Sequence, residues 1–351
     1  MMRTHRPLSR QRGLSLVELM IAMTLGLLLL VALGSLYVST SQSRVQLANS
    51  ATQIENGRYA LDVISHEVAL GGYFGDSNLI GAAAWSAPNL CAAATNMLGF
   101  SNSPATVPVA IYGYAYGTNP AAPCLSNVVP NSEILVVRRV STTSVTPTTM
   151  NVGQAYMQDS FCTTDTSPFI FSSGPAATFT LNDKSCNTLA ELRQASVRIF
   201  YLATCDRCSN GGDGIPTLKV AELAGGVLQP TSIAQGIEDI HFSYGVDMDG
   251  NGSADCYVSD PGVDNSGLCT TVGGYNWTTS SLTNWSNVTA VRINVLARTL
   301  SPSAGWKDSR SYDLGRGTPS NPVLSVPTYD SYKRHVYAEV ARVVNVAGPR
   351  E

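Results

Sequence analysis

The stretch Arg10-Gln11-Arg12-Gly13-Leu14-Ser15-Leu16-Val17-Glu18-Leu19-Met20 decides how this chain is built. A short basic leader ends in glycine, and Glu18 then stands at the head of an apolar run. Leu19 to Val38 is a run of 20 residues without a charge, and Thr24, Ser35 and Tyr37 are its only clearly polar members. That length spans a bilayer core as a helix. Only helices and closed barrels satisfy their backbone in lipid, and no period-two alternation points to a barrel. A secretory signal peptide would carry a shorter apolar core with the small-residue cleavage site after it. Here the small residue, Gly13, lies before the run, on its basic side. A carboxylate inside such a run is costly to bury, so Glu18 reads as a functional residue.

Arg3, Arg6, Arg10 and Arg12 hold the leader on the cytoplasmic side by the positive-inside rule, which puts the rest of the chain outside the inner membrane. Losing those four arginines takes the net charge from −3 to about −7. An acidic body with few charges lacks the basic footprint of a nucleic-acid binder, so no nucleic-acid partner is expected.

Beyond Val38 the helix is expected to continue. Leu47, Ala51, Ile54, Leu61, Ile64 and Val68 recur at steps of three and four among polar residues, an amphipathic pattern whose apolar face suits a sheet. No proline interrupts Leu14 to Leu70, and Gly71-Gly72 is a credible stop. At 1.5 Å per residue such a helix reaches roughly 85 Å. Gly26, Gly34 and Gly57 weaken it locally, each by up to about 1 kcal/mol relative to Ala.

Gly13 to Leu19, Gly-Leu-Ser-Leu-Val-Glu-Leu, resembles the class III signal of type IV pilins and type II secretion pseudopilins. The resemblance implies that a prepilin peptidase cuts between Gly13 and Leu14 and methylates the new amine of Leu14. It makes Glu18 the glutamate at mature position five. Leu14 departs mildly from the Phe common there. The organisation expected is a cleaved basic leader at 1–13, a transmembrane half-helix at 14–38, an amphipathic half at 39–72 and a periplasmic, disulfide-stapled head at 73–351. The protein would sit in the bacterial inner membrane as a single-pass chain and then pass into a pilus fibre or its tip.

Later segments are similar to PilW-type minor pilins: Arg58-Tyr59-Ala60-Leu61-Asp62, Gly71-Gly72-Tyr73-Phe74-Gly75, Gly236-Ile237-Glu238-Asp239-Ile240, Tyr244-Gly245-Val246-Asp247, Val291 to Arg298, and Tyr332-Lys333-Arg334 through Val344-Asn345. Strands are predicted at Glu133–Val140, Ser196–Leu202, Thr217–Leu223, Ile237–Val246, Val288–Thr299 and Val336–Val346, which are rich in β-branched and aromatic residues and bounded by turn formers. The span 74–131 reads as loop with short irregular pieces. Helix first and strands after gives an α+β class: a long N-terminal helix, transmembrane then amphipathic, packed on a mainly antiparallel β-sheet head, as in type IV pilins.

Eight cysteines, Cys91, Cys124, Cys162, Cys186, Cys205, Cys208, Cys256 and Cys269, all lie beyond the membrane run. In an oxidising periplasm an even set reads as four disulfides. Neighbour pairing is the simplest connectivity: Cys91–Cys124, Cys162–Cys186, Cys205–Cys208 and Cys256–Cys269. Cys205-Asp-Arg-Cys208 lacks the strand–helix setting of a thioredoxin-like site and a second ligand pair for zinc, so it reads as a structural clip.

Asp247-Met248-Asp249-Gly250-Asn251-Gly252-Ser253-Ala254-Asp255 places oxygen side chains at steps 1, 3, 5 and 9, glycine at 6 and the Ser253 carbonyl at 7, the front of an EF-hand-type calcium loop. Val258 stands where a bidentate Glu belongs, with Asp260 or Asp264 as stand-ins. The alternative is a polar hairpin turn. No cofactor is required, and Ca²⁺ at Asp247, Asp249, Asn251, Ser253 and Asp255 is the one candidate.

His66, His241 and His335 form no metal spacing and read as structural. The Trp-rich stretch from Tyr275 to Trp285 reads as a packed surface loop. No phosphate-binding glycine loop or catalytic triad stands out, so the chain is not expected to be an enzyme. The PilW resemblance implies a minor pilin acting in pilus initiation at the tip. Its implied partners are minor pilins of the PilV, PilX, FimU and PilE types, the major pilin and a PilY-type tip adhesin. The alternatives are a GspJ-like minor pseudopilin of a type II secretion system, and a calcium-dependent adhesin on a simple anchor.

Overall fold

Helix α1 (Leu16–Leu70) realises the long uninterrupted pattern read from the sequence. The computed structural model describes residues 13, 15–75, 84–318, 321–326 and 329–348; the leader through Arg12 and Leu14 lie outside the described residues. The chain divides into two units, one ending at Ala51 and the other running from Thr52 to Glu351. In the first unit the apolar side chains of α1 are exposed all round, among them Leu16, Ile21, Leu30 and Leu36. Among the described residues α1 alone is long and apolar enough to cross a membrane.

In the second unit the buried face of α1 is Gln53, Gly57, Ala60, Leu61, Ile64, Glu67 and Val68. The expected stripe holds at Leu61, Ile64 and Val68 and fails earlier: Leu47, Ala51 and Ile54 are exposed. Polar Gln53 takes the inward position instead. Its Nε2 donates to the carbonyls of Ala297 (2.7 Å) and Lys333 (3.0 Å), so an amide replaces an apolar contact by satisfying two strand-end carbonyls. Gly72, with φ +76°, ends the helix and donates its N–H to Arg138. The Asn345 side-chain amide donates to the carbonyls of Leu70 (3.3 Å) and Gly71 (3.2 Å), groups a helix end leaves without partners.

The first large sheet contains β4 (Ile111–Tyr114), β5 (Ile134–Val145), β6 (Tyr156–Asp159), β7 (Phe169–Ser172), β8 (Leu192–Ala203), β9 (Thr217–Ala224) and β10 (Val227–Gln235). Its order is β10-β9-β8-β5-β4, with β6 paired to β8 and β7 to β6, all antiparallel. The second sheet runs β12 (Cys256–Val258), β11 (Ile237–Val246), β13 (Val288–Arg298), β16 (Arg334–Arg342), again antiparallel. Smaller pieces are β1 (Ala84–Ser86), β2 (Ser101–Asn102) and β3 (Ala105–Pro108), and the hairpin β14 (Tyr312–Thr318) with β15 (Asn321–Ser325). Two short α-helices, α2 (Ser281–Ser286) and α3 (Val344–Ala347), and three single-turn 3-10 helices are also present among the described residues.

One apolar core joins the end of α1 to both sheets. Leu61, Ile64 and Val68 meet Ile111, Leu135, Val137 and Phe200 of the first sheet, and Ile240, Phe242, Val291 and Ile293 of the second. The far face of the second sheet is also covered, because Tyr312 and Leu314 of the hairpin pack on Leu296. Coverage on both faces explains why the polar residues that alternate with apolar ones along β11 and β13, among them His241, Ser243 and Asn294, are buried as well.

Each predicted strand is present. The expected C-terminal strand is corrected at its end: β16 stops at Arg342 and the chain turns into α3, which supplies Asn345. The region 74–131 is not all loop, since it contributes β1 to β4. β5 runs through part of the Thr/Ser-rich span after Val140, pairing Ser144 with Arg193.

Gly57 has a packing reason. A Cβ there would lie 2.5 Å from the Tyr337 ring on β16. Gly57→Ala should therefore lower stability by about 1–3 kcal/mol through overpacking, despite its better helix propensity. Thermal melts of the full chain in detergent check this, and Tyr337→Leu in the same chain should recover part of the loss.

Candidate functional site

The N-terminal end of α1 is built around Ser15 and Glu18. The Ser15 N–H donates to Glu18 Oε2 (2.9 Å), and the Glu18 N–H donates to Ser15 Oγ (3.3 Å). This reciprocal pair is a capping box, with Ser15 at the N-cap and Glu18 at the third helical position. It satisfies two amides that would be orphaned at the head of a membrane-length apolar helix. Gly13 is exposed and a Cβ on it would touch nothing within 4 Å. The fold of this chain therefore makes no demand for glycine at that position.

The acidic loop connects β11 to β12, where Val246 pairs with Cys256. The carboxylates of Asp247, Asp249 and Asp255 can each bring an oxygen within 4.8 Å of the others. Asp247 Oδ1 accepts from the N–H of Gly250 (2.7 Å) and Asn251 (3.2 Å), and its Oδ2 from Gly252 (2.7 Å). Asp255 Oδ2 accepts from Met248 N–H (2.7 Å), and Asn251 Oδ1 from Ser253 N–H (2.8 Å). Gly252 is needed here: its φ is +80°, and a Cβ would lie 2.3 Å from the Ala347 carbonyl of α3. Val258, at step 12, is buried and paired with Tyr244. Asp260 and Asp264 do not join the cluster; each accepts from an amide two residues on, Gly262 and Ser266. Among the described residues the carboxylates that converge on this loop are those of Asp247, Asp249 and Asp255, oxygens of the kind a hard cation takes.

A second polar constellation lies under the β14–β15 hairpin. Glu133, just before β5, accepts from Arg316 Nε (2.8 Å) and from the Phe242 N–H (2.9 Å), and it lies 2.8 Å from His241 Nδ1. Ser243 Oγ is 2.9 Å from His241 Nε2. Arg316 also forms a two-pronged pair with Asp239, each prong 2.6 Å. Ser, His and Glu in this order share the connectivity of a hydrolytic triad. Here Ser243 is only 7% exposed, and Glu133 is already committed to a guanidinium and an amide. The arrangement ties the start of β5, strand β11 and the hairpin together, and Arg316 is held protonated by its two carboxylates against the opposing effect of burial. A parallel knot joins Arg334 to Glu238, Asp330 and Asp308. The Arg334 hydrogen bond holds the Asp330 carboxyl below its ordinary value. Burial pushes Asp308 up, but hydrogen bonds from Tyr312, Arg310 and Arg334 outweigh it and leave it lowered.

Sequence reading missed both knots. Their only signal was isolated polar or charged residues in or beside apolar strand patterns, such as Glu133 and His241. The four disulfides form with the neighbour connectivity, and no cysteine is free. Trp277 and Trp285 are buried, and Trp285 packs against Tyr112 and Tyr244, which accounts for the Trp-rich stretch.

Residues 8–34 match the prokaryotic N-terminal methylation motif, so the chain carries a prepilin-type signal directly ahead of its membrane-length apolar helix. Residues 199–345 match the family PilW, described as type IV pilus-assembly protein W. The matched segment runs from the middle of β8 to Asn345, the residue that closes the end of α1. No curated protein and no solved structure matches the chain.

Proposed function

We propose that this chain is a non-catalytic minor pilin that helps initiate type IV pilus assembly as part of the tip complex. The observation that carries the reading is the presence, in one chain, of a prepilin-type signal and a PilW segment. The prepilin peptidase removes the leader after Gly13, and the chain waits in the inner membrane with its head on the periplasmic side. Other minor pilins, of the PilV, PilX, FimU and PilE types, the major pilin and a PilY-type tip adhesin are its partners. Within the assembly Glu18 pairs with the positive Leu14 amine of a neighbouring subunit, which offsets part of the burial cost of both charges. The capping box sharpens the test. Glu18→Leu removes both cap and charge, whereas Glu18→Gln keeps a cap-competent side chain and removes only the charge.

A deletion strain should lose surface pili and twitching while exoprotein secretion continues, and the wild-type gene should restore both. Both Glu18 variants should insert in the membrane, and both should fall about tenfold in pilus incorporation, equivalent to roughly 1.4 kcal/mol. Lost secretion with intact pili would instead make the chain a minor pseudopilin of the GspJ type. Full incorporation of Glu18→Gln would reduce Glu18 to a helix cap.

The acidic loop is proposed as a weak Ca²⁺ site. Three carboxylates repel one another on a tight turn, and a divalent cation that binds only the folded loop raises stability by mass action. With Val258 committed to the core the bidentate ligand is missing, so the affinity belongs in the range of about 10⁻⁴–10⁻³ M. The full chain in detergent should melt about 2–4 °C higher in roughly 10 mM calcium than in EDTA. The shift should vanish in the Asp247→Ala/Asp249→Ala double variant. Equal melting in EDTA and calcium would leave the loop a hairpin turn.

A further inference from the structure

The Cys205–Cys208 disulfide has an environment that the other three lack. Its Cα atoms are 5.2 Å apart, and the bond closes a ring only three positions long, against separations of 33, 24 and 13 for the other pairs. Cross-links over short loops constrain the unfolded chain least, so opening this one costs the fold least. Cys205, two residues past the end of β8, is buried, whereas Cys208 is partly exposed.

Lys219 of β9 lies beside it. Its Nζ is 3.6 Å from Cys208 Sγ and 3.0 Å from the Asp206 carbonyl. The residue is 8% exposed, and among the described residues its ammonium has no carboxylate partner. The nearby acids are turned to other tasks. Asp206 Oδ2 accepts from Gln235 (2.7 Å), and Asp213 accepts the N–H groups of Asp206 (3.1 Å), Arg207 (2.9 Å) and Ile215 (3.1 Å). Those bonds shape the loop through atoms other than the two sulfurs. A buried ammonium without a counter-ion, next to a reachable sulfur, suits an anion that exists only when the disulfide is open. A cationic neighbour is what favours a thiolate over a thiol.

We propose that Cys205–Cys208 is a thiol-exchange site, with Lys219 holding the Cys208 thiolate and a dithiol, small or carried on a protein, as its redox partner. A thiolate of the dithiol attacks the partly exposed Cys208 Sγ. The Sγ–Sγ bond breaks, and its electron pair goes to Cys205 Sγ, which takes up a proton. The second thiolate of the partner then attacks the partner's own sulfur in the mixed disulfide. This expels Cys208 as a thiolate beside Lys219 and leaves the partner oxidised to its disulfide. Two electrons pass from partner to protein, and the reverse sequence returns them.

The test uses the full chain in detergent with dithiothreitol at neutral pH, quenched by alkylation and read by peptide mass spectrometry. Cys205–Cys208 should open at least about tenfold faster than the other three pairs, with far-ultraviolet circular dichroism unchanged. In a Cys205→Ser chain, alkylation of Cys208 against pH should show a midpoint below the ordinary thiol value of about 8.5. Adding Lys219→Met should move that midpoint up by about one pH unit, and Lys219→Arg should restore it. Opening of this pair together with or after the others overturns the proposal, and that measurement needs no variant. So does a Cys208 profile indifferent to Lys219→Met.

Discussion

The polar groups of α1 have to find partners without water, in a membrane-length apolar segment at one end and beneath two sheets at the other. Unpaired backbone amides and carbonyls in either setting cost free energy comparable to a lost hydrogen bond. At the first turn Ser15 and Glu18 cap each other. At the last turn Asn345 covers the carbonyls of Leu70 and Gly71, and Gly72 hands its N–H to β5. Between them Gln53 closes two strand-end carbonyls, and Glu67 takes Arg139 and Arg198. The PilW segment is thus tied to the helix by polar bonds as well as by the core.

The same economy governs the head. Only 13% of the sequence is charged, yet several of those charges are buried in knots around Arg316 and Arg334. Removing one member of such a knot strands its partner in a poor solvent, which makes these contacts specific about which strand ends meet. They fix the hairpin over β11 and β13, and they connect the start of β5 to the second sheet. The acidic loop and the Cys205 loop project from this frame, each held by its own carboxylate-to-amide bonds, so chemistry at either need not disturb the sheets.

The sequence made the helix and six strands legible because long, strongly patterned segments announce themselves. The missed strands are short, or carry residues that argue against a strand: Pro230 in β10, Gly315 and Gly317 in β14, Pro322 in β15. Leu47 and Ile54 looked like core because helical spacing cannot say where a sheet begins to cover the helix. The cysteine pairing was readable because each partner is also the next cysteine along the chain. Lys219 and Arg316 were not readable, since their roles depend on which strands become neighbours. The acidic loop was half legible: the carboxylates of Asp247, Asp249 and Asp255 converge as spaced, while Val258 turns out to belong to the core.

A Cβ on Gly13 would touch nothing among the described residues, yet Gly13 sits at the boundary between a basic leader and a membrane-length helix. On the proposed reading a small residue there answers to a second protein, the peptidase, and processing at that bond is the step on which the reading rests. The direct measurement is N-terminal mass spectrometry of the membrane-bound or fibre-bound form from wild-type cells and from a Gly13→Val strain. The account requires a wild-type chain that begins at N-methylated Leu14 and a Gly13→Val chain that keeps its leader. An intact leader in wild-type cells, unchanged by the substitution, would contradict it.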